Sequence, residues 1–196
     1  LEQIRQRKES TYIRLSTKRV NQNLFRMPSN SGDQEQLRQQ VIQGAYRLVD
    51  FRDQPEYKPG ENVVHIMSSG VIVPLAMEAS LQLRSKGVFA NVVNVTGQGP
   101  LYARFQESMR TTMSRGSGSP AFLADVISLD ERSAPIVTVL DGHPHSLAWI
   151  GSALKTVAFP LGVDRYGQSG NPSDLYKEYE IDVASIVATC FAALEV

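Results

Sequence analysis

The sequence predicts an α/β domain of three layers, helix on sheet on helix, around a mostly parallel sheet of roughly five strands. Three observations predict it. Continuous apolar runs such as Val63-Val64-His65-Ile66-Met67 and Pro135-Ile136-Val137-Thr138-Val139-Leu140 are bounded by turns, as strands buried on both faces are. These runs alternate with segments of helical spacing, and alternating strands and helices form a parallel sheet covered on both sides. The length of 196 residues suffices for one sizeable domain, or one domain plus an appendage.

Residues 1–33 stand apart. Thr11-Tyr12-Ile13-Arg14-Leu15-Ser16 reads as a half-buried strand, and Pro28-Ser29-Asn30-Ser31-Gly32-Asp33 as a linker or turn. One strand cannot bury its own apolar face, so this segment is expected to be the tail of a preceding domain. Residues 34–196 then form the main domain.

Within it, Gln34–Gln43 reads as a short polar helix before Gly44, and Ala45–Val49 alternates as a strand. After the Val63–Met67 strand and Ser68-Ser69-Gly70, Val71–Lys86 has helical spacing, with Gly87 where a C-cap glycine belongs. Ala90–Val95 is the next strand and Leu101–Met113 the next helix, followed by a flexible break from Arg115 to Pro120. The strand ending at Leu140 leads through Asp141-Gly142-His143-Pro144-His145 to a helix, capped by Ser146, through Trp149. Lys155–Leu161 reads as a further strand. Asn171–Tyr176, with proline in its first turn, and an apolar stretch from Asp182 through Leu194 supply the last two helices.

Composition excludes several classes. Twenty basic residues balance twenty acidic ones, which leaves no electrostatic footprint for nucleic acid or an anionic membrane. No apolar run approaches the roughly 18–20 residues that cross a bilayer. The one cysteine, Cys190, permits neither an internal disulfide nor a cysteine-based zinc cluster. The polar start, Leu1 with Gln, Arg, Lys and Glu close behind, is unlike a secretory signal, and a cytoplasmic location is expected. The missing initiator methionine adds to the expectation of a fragment.

Several residues are candidates for a site. Ser68, Ser69 and Gly70 join a buried strand to a helix, so their amides could cradle an anion; a tight turn with a serine N-cap has the same spelling. His143 and His145 flank Pro144 at the C-terminal end of a strand, where α/β proteins place ligands, and suit either metal or proton transfer or a structural turn. In Asp164-Arg165-Tyr166-Gly167, Arg165 could grip a carboxylate or phosphate. The preferred reading there is a loop that packs Tyr166 against a partner subunit. Cys190 and Trp149 read as packing residues. No nucleophile–base–acid set, phosphate loop or metal cluster is spelled out, so no catalytic, cofactor-binding or metal residue is assigned.

The residues also carry a resemblance. Gly44-Ala45-Tyr46, Val63–Gly70 and the helix containing Ala76-Met77-Glu78-Ala79 resemble the C-terminal domain of transketolase-like, thiamine diphosphate-dependent enzymes. So does the ending Leu161-Gly162-Val163-Asp164-Arg165-Tyr166-Gly167-Gln168-Ser169-Gly170, followed by Leu175-Tyr176, Tyr179 and Ile181-Asp182. In that family a small-residue loop after a Phe/Tyr-Gly pair leads to a helix and an aromatic-x-Ile/Val segment. The resemblance covers about residues 40–190, and Tyr12–Ser16 looks like the final strand of the family's pyrimidine-binding domain.

The resemblance implies that thiamine diphosphate and magnesium are held by other domains of a longer enzyme. The Gly-Asp-Gly of their site is absent here. It implies an inert fragment with a scaffolding and dimer-interface role, whose partners are a second copy of itself, the upstream domains and an acyltransferase component. The preferred enzyme is the decarboxylating component of a homodimeric pyruvate, or other 2-oxo acid, dehydrogenase. In transketolases an arginine that binds substrate phosphate directly follows the strand equivalent to Ile13–Ser16, whereas here Thr17-Lys18-Arg19 follows. Asp141–His145 also departs from the usual transketolase text. The alternative is a transketolase that moves two-carbon ketol units between sugar phosphates. A reading of another class is a stand-alone regulatory module that binds an anion at Ser69 and His143.

Overall fold

The computed structural model describes residues 19–116, 123 and 126–196. The expected strand at Thr11–Ser16 and most of the expected break at Arg115–Pro120 lie outside the described residues. The elements are α1 (Ser31–Gln43), β1 (Ala45–Val49), β2 (Val63–Ser69), α2 (Val73–Arg84), β3 (Phe89–Val95) and α3 (Gln98–Arg115), then β4 (Ile136–Leu140), α4 (His145–Leu154), β5 (Ala158–Leu161), α5 (Pro172–Glu178) and α6 (Val183–Leu194).

The linker expected over Pro28–Asp33 ends early. Asn30 caps α1, its side-chain oxygen accepting the Asp33 N–H at 2.7 Å, so the helix already starts at Ser31. Two further boundaries move. α4 continues past Trp149 to Leu154, and its N-cap is Pro144 rather than Ser146. Lys155 then ends α4 in the left-handed region at φ 58, so β5 starts at Ala158 instead of Lys155. Gly151 lets this helix lie on β5, because a Cβ there would sit 2.7 Å from the Ala158 Cβ.

The strand order is β1-β3-β2-β4-β5. β3, β2, β4 and β5 are parallel, and β1 pairs antiparallel with β3 at the edge, which it enters directly from α1. The predicted three-layer, mostly parallel sheet is the observed architecture. Alternate residues of the inner strands face opposite layers. Val64, Ile66, Val92 and Val137 meet Ile72, Ala76 and Leu83 before and along α2, and Ile186 and Cys190 of α6. Met67, Val93, Ile136 and Leu140 meet Leu101 of α3 and Leu147, Ile150 and Leu154 of α4. Each fully buried Leu or Ile stabilises the fold by about 1.5–3 kcal/mol relative to exposure, which is why the continuous apolar runs occupy the sheet centre.

Candidate functional site

The strand order fixes where a ligand crevice would open. α2 leaves the C-terminal end of β2 over one face of the sheet, and α4 leaves the neighbouring β4 over the other. In α/β sheets that divergence is the usual binding position. Ser69 pairs in register with Leu140, so the fold brings Ser68-Ser69-Gly70 beside the Asp141–His145 segment.

The serines, however, belong to β2. Ser69 donates its hydroxyl to the Val95 carbonyl at 2.9 Å, tying the ends of β2 and β3 together. Neither Ser69 nor Ile72 caps the following helical turns, which corrects the serine N-cap expectation. Gly70 turns the chain with φ 68. Ser68 is fully buried, and its hydroxyl has no partner among the described residues.

His143 and His145 are exposed, with rings edge to face at 4.5 Å. The His145 N–H donates to His143 Nδ1 at 3.3 Å, so that nitrogen carries a lone pair. Among the described residues no group of three or more His, Cys, Asp or Glu could hold a metal ion. The nearby charge is negative: burial first, and the Asp141 carboxylate second, raise the Tyr176 phenol above its ordinary pKa.

Gly162 brings the next loop against this one. A Cβ there would meet the Gly142 carbonyl oxygen at 2.5 Å, and the Val163 N–H donates to that oxygen at 2.8 Å. Beyond it, Arg165 turns towards the C-terminal end of α5. Its guanidinium bonds the Glu178 carboxylate at 3.3 Å and the Glu178 carbonyl at 2.7 Å, 5.6 Å from the Tyr179 ring centre. The Tyr179 hydroxyl donates to the Tyr166 carbonyl and accepts the Gln168 N–H, both at 3.0 Å. This fixes the loop backbone while the Tyr166 ring stays 95% exposed.

Cys190 is fully buried, and burial pushes its thiol up to about 12, so it is not a nucleophile at neutral pH. Trp149 packs on α3, stacked on Phe105 at 5.0 Å and edge-on to Tyr102 at 5.3 Å.

A further polar assembly, which no local sequence pattern announces as a whole, lies at the β1 edge of the sheet. Arg47 of β1 makes a two-pronged ion pair with Glu131 at 2.9 and 2.7 Å, with side chains only 6% and 1% exposed. Glu131 also accepts the Ser128 N–H at 3.1 Å, the Ser128 hydroxyl at 2.8 Å and the Tyr57 hydroxyl. Asn91 donates to the Tyr57 oxygen at 2.8 Å and lies 3.4 Å from His65 Nδ1. Burial alone would raise the Glu131 pKa. The bonds from Arg47 and Tyr57, the charge of Arg47 and the bond from Ser128 outweigh it and hold the carboxyl at about 2. Burial, followed by the charge of Arg47, lowers His65 to about 4. One signal was present: Ser128-x-x-Glu131 spells a capping box, and the structure makes both of its bonds.

A model of the transketolase-like TK C-terminal domain matches residues 44–182. The chain belongs to that family. This domain also resembles solved transketolases in fold. The transketolase from Leishmania mexicana is 23% identical, at TM-score 0.52, over 80% of this chain and 19% of that one. A Pichia stipitis transketolase, described in complex with xylulose 5-phosphate, is 18% identical at TM-score 0.56, again over 80% and 19%. A split-gene transketolase, described as an inactive β4 tetramer, is 18% identical at TM-score 0.51, over 78% of this chain and 43% of that one. The transketolase-like domain therefore spans about a fifth of the length of the first of these, and no curated protein matches it.

Proposed function

We propose that this chain is the C-terminal scaffold domain of a thiamine diphosphate-dependent enzyme, acting in the cytoplasm, and that the cofactor and its magnesium are held by domains outside it. The family match over residues 44–182 carries this reading. The donor set at the strand ends supports it, because it does not fit a metal-bound diphosphate. The Ser69 hydroxyl is engaged by Val95, Arg165 by Glu178, and the nearby Asp141 adds negative charge. The same features disfavour a stand-alone anion-binding module. A further part of the role is association with a second copy and with the upstream domains. The loop at Tyr166, rigid in backbone and exposed in side chain, suits such an interface.

Two substrate classes fit the family. The text of Thr17-Lys18-Arg19 and of Asp141–His145 favours a 2-oxo acid dehydrogenase component, with pyruvate as the substrate. The solved neighbours are transketolases, which favours ketol transfer between sugar phosphates. The natural protein, supplied with thiamine diphosphate and magnesium, decides between them when pyruvate-dependent reduction of an artificial electron acceptor is assayed beside ketol transfer. Pyruvate turnover is expected. Ketol transfer without it overturns the dehydrogenase reading, and neither activity overturns both.

A further inference from the structure

The polar network under the Leu129–Ser133 turn runs in one direction. The Phe51 N–H donates to Asn91 Oδ1 at 2.9 Å, which fixes one end of that amide. Asn91 Nδ2 donates to the Tyr57 oxygen, because the Tyr57 hydroxyl proton is committed to the Glu131 carboxylate. Both neighbours therefore dictate that the Asn91 NH2 group faces His65. His65 Nδ1, 3.4 Å away, must present a lone pair, which puts its proton on Nε2, an atom buried without a partner among the described residues. His65 is 1% exposed, so water offers no relief.

We propose that His65 is an acid-sensitive latch for this edge of the sheet. A proton added at Nδ1 sets two donors face to face and breaks the chain at Asn91, which loosens its hold on Phe51 just after β1 and on Tyr57, the link to Glu131 of the Leu129–Ser133 turn. Asn91 reaches Glu131 of the turn through the Tyr57 hydroxyl, and Glu131 holds Arg47 of β1 directly. Further bonds from Arg47 Nε to the Val126 carbonyl at 3.1 Å and from Arg47 to Asp50 at 3.4 Å belong to the same unit.

The groups facing His65 set the sign. Arg47 opposes its protonation, while Glu131 and Asp50 favour it; the Tyr57 hydroxyl lies beyond Asn91. Burial and Arg47 win, so the folded imidazole is neutral well below its ordinary 6.5. The unfolded chain takes up the proton first. The stabilisation is complete above the unfolded value and is lost as pH falls from 6.5 towards 4. This latch is independent of which enzyme the domain serves.

Hydrogen exchange of the whole chain, corrected for intrinsic rates, tests the idea between about pH 7 and about pH 5.5. Protection in β1 and across the Leu129–Ser133 turn is expected to fall about tenfold, because every opening that exposes His65 takes up the proton. In His65→Gln, which keeps an acceptor but does not titrate, the step should vanish. A step that survives in His65→Gln overturns the proposal. If that variant does not fold, nitrogen-15 NMR of the wild-type ring decides: a proton on Nδ1 at neutral pH overturns it, and one on Nε2 is the expected result.

Discussion

Replacing Glu131 with alanine is expected to destabilise the domain by about 3–5 kcal/mol, the usual cost of breaking a buried ion pair from one side. The substitution strands the Arg47 guanidinium, 6% exposed, and removes the acceptor for Tyr57 and Ser128. The lowering of the carboxyl from 4.5 to about 2 points to a similar size, about 3 kcal/mol. A folded pKa below the unfolded one means that this stability is present above 4.5 and lost as pH falls towards 2. Urea unfolding monitored at neutral pH should show a lower midpoint at unchanged slope. Pairing Arg47→Met with Glu131→Leu should restore part of the loss, because it removes the stranded guanidinium, while Tyr57 and Ser128 still lack their acceptor.

Replacing Gly44 with alanine is the second large effect, about 2–3 kcal/mol. Gly44 closes α1, with its N–H on the Gln40 carbonyl at 3.0 Å. Its own carbonyl accepts from Thr96 at 2.9 Å and Gly97 at 3.2 Å. Its φ of 114 is one that side chains rarely adopt, and an added Cβ would stand 2.7 Å from the Gly97 carbonyl oxygen. Conformation and clash therefore act together. Gly87 separates the two contributions, since its φ is 83 but a Cβ there meets nothing within 4 Å. Gly87→Ala should cost only about 1 kcal/mol, and thermal melting of the two variants should show the difference. Equal shifts in Tm would remove the role given to the close approach at Gly97.

What the sequence disclosed follows from the range of the interactions involved. β2 and β4 were legible because a strand buried on both faces is apolar along most of its length, and Val63–Met67 shows this locally. Where a side chain chooses between a local and a distant partner, the local choice misleads. Ser69 has the spelling of an N-cap, yet the neighbouring β3 offers it the Val95 carbonyl, and the hydroxyl goes there. Lys155 looked like the start of a strand because nothing nearby announces its left-handed turn, which is set by α4 settling on β5 through Gly151. The Arg47–Glu131 cluster was the least visible. Its members lie 84 residues apart, and each alone reads as an ordinary surface charge. His65, which the sequence shows only inside the apolar run of β2, belongs to that cluster. The candidate site was half legible: the positions at the ends of β2 and β4 do converge, but the engagement of Arg165 by Glu178 depends on how α5 packs.

The proposed division of labour has this transketolase-like domain support an enzyme whose cofactor is bound elsewhere. Isothermal titration of the 196-residue chain with thiamine diphosphate in the presence of magnesium tests it most directly. No saturable heat is the predicted result, because the strand ends offer engaged hydroxyl and guanidinium groups beside a carboxylate. Tight, stoichiometric binding that requires both cofactor and metal would contradict it.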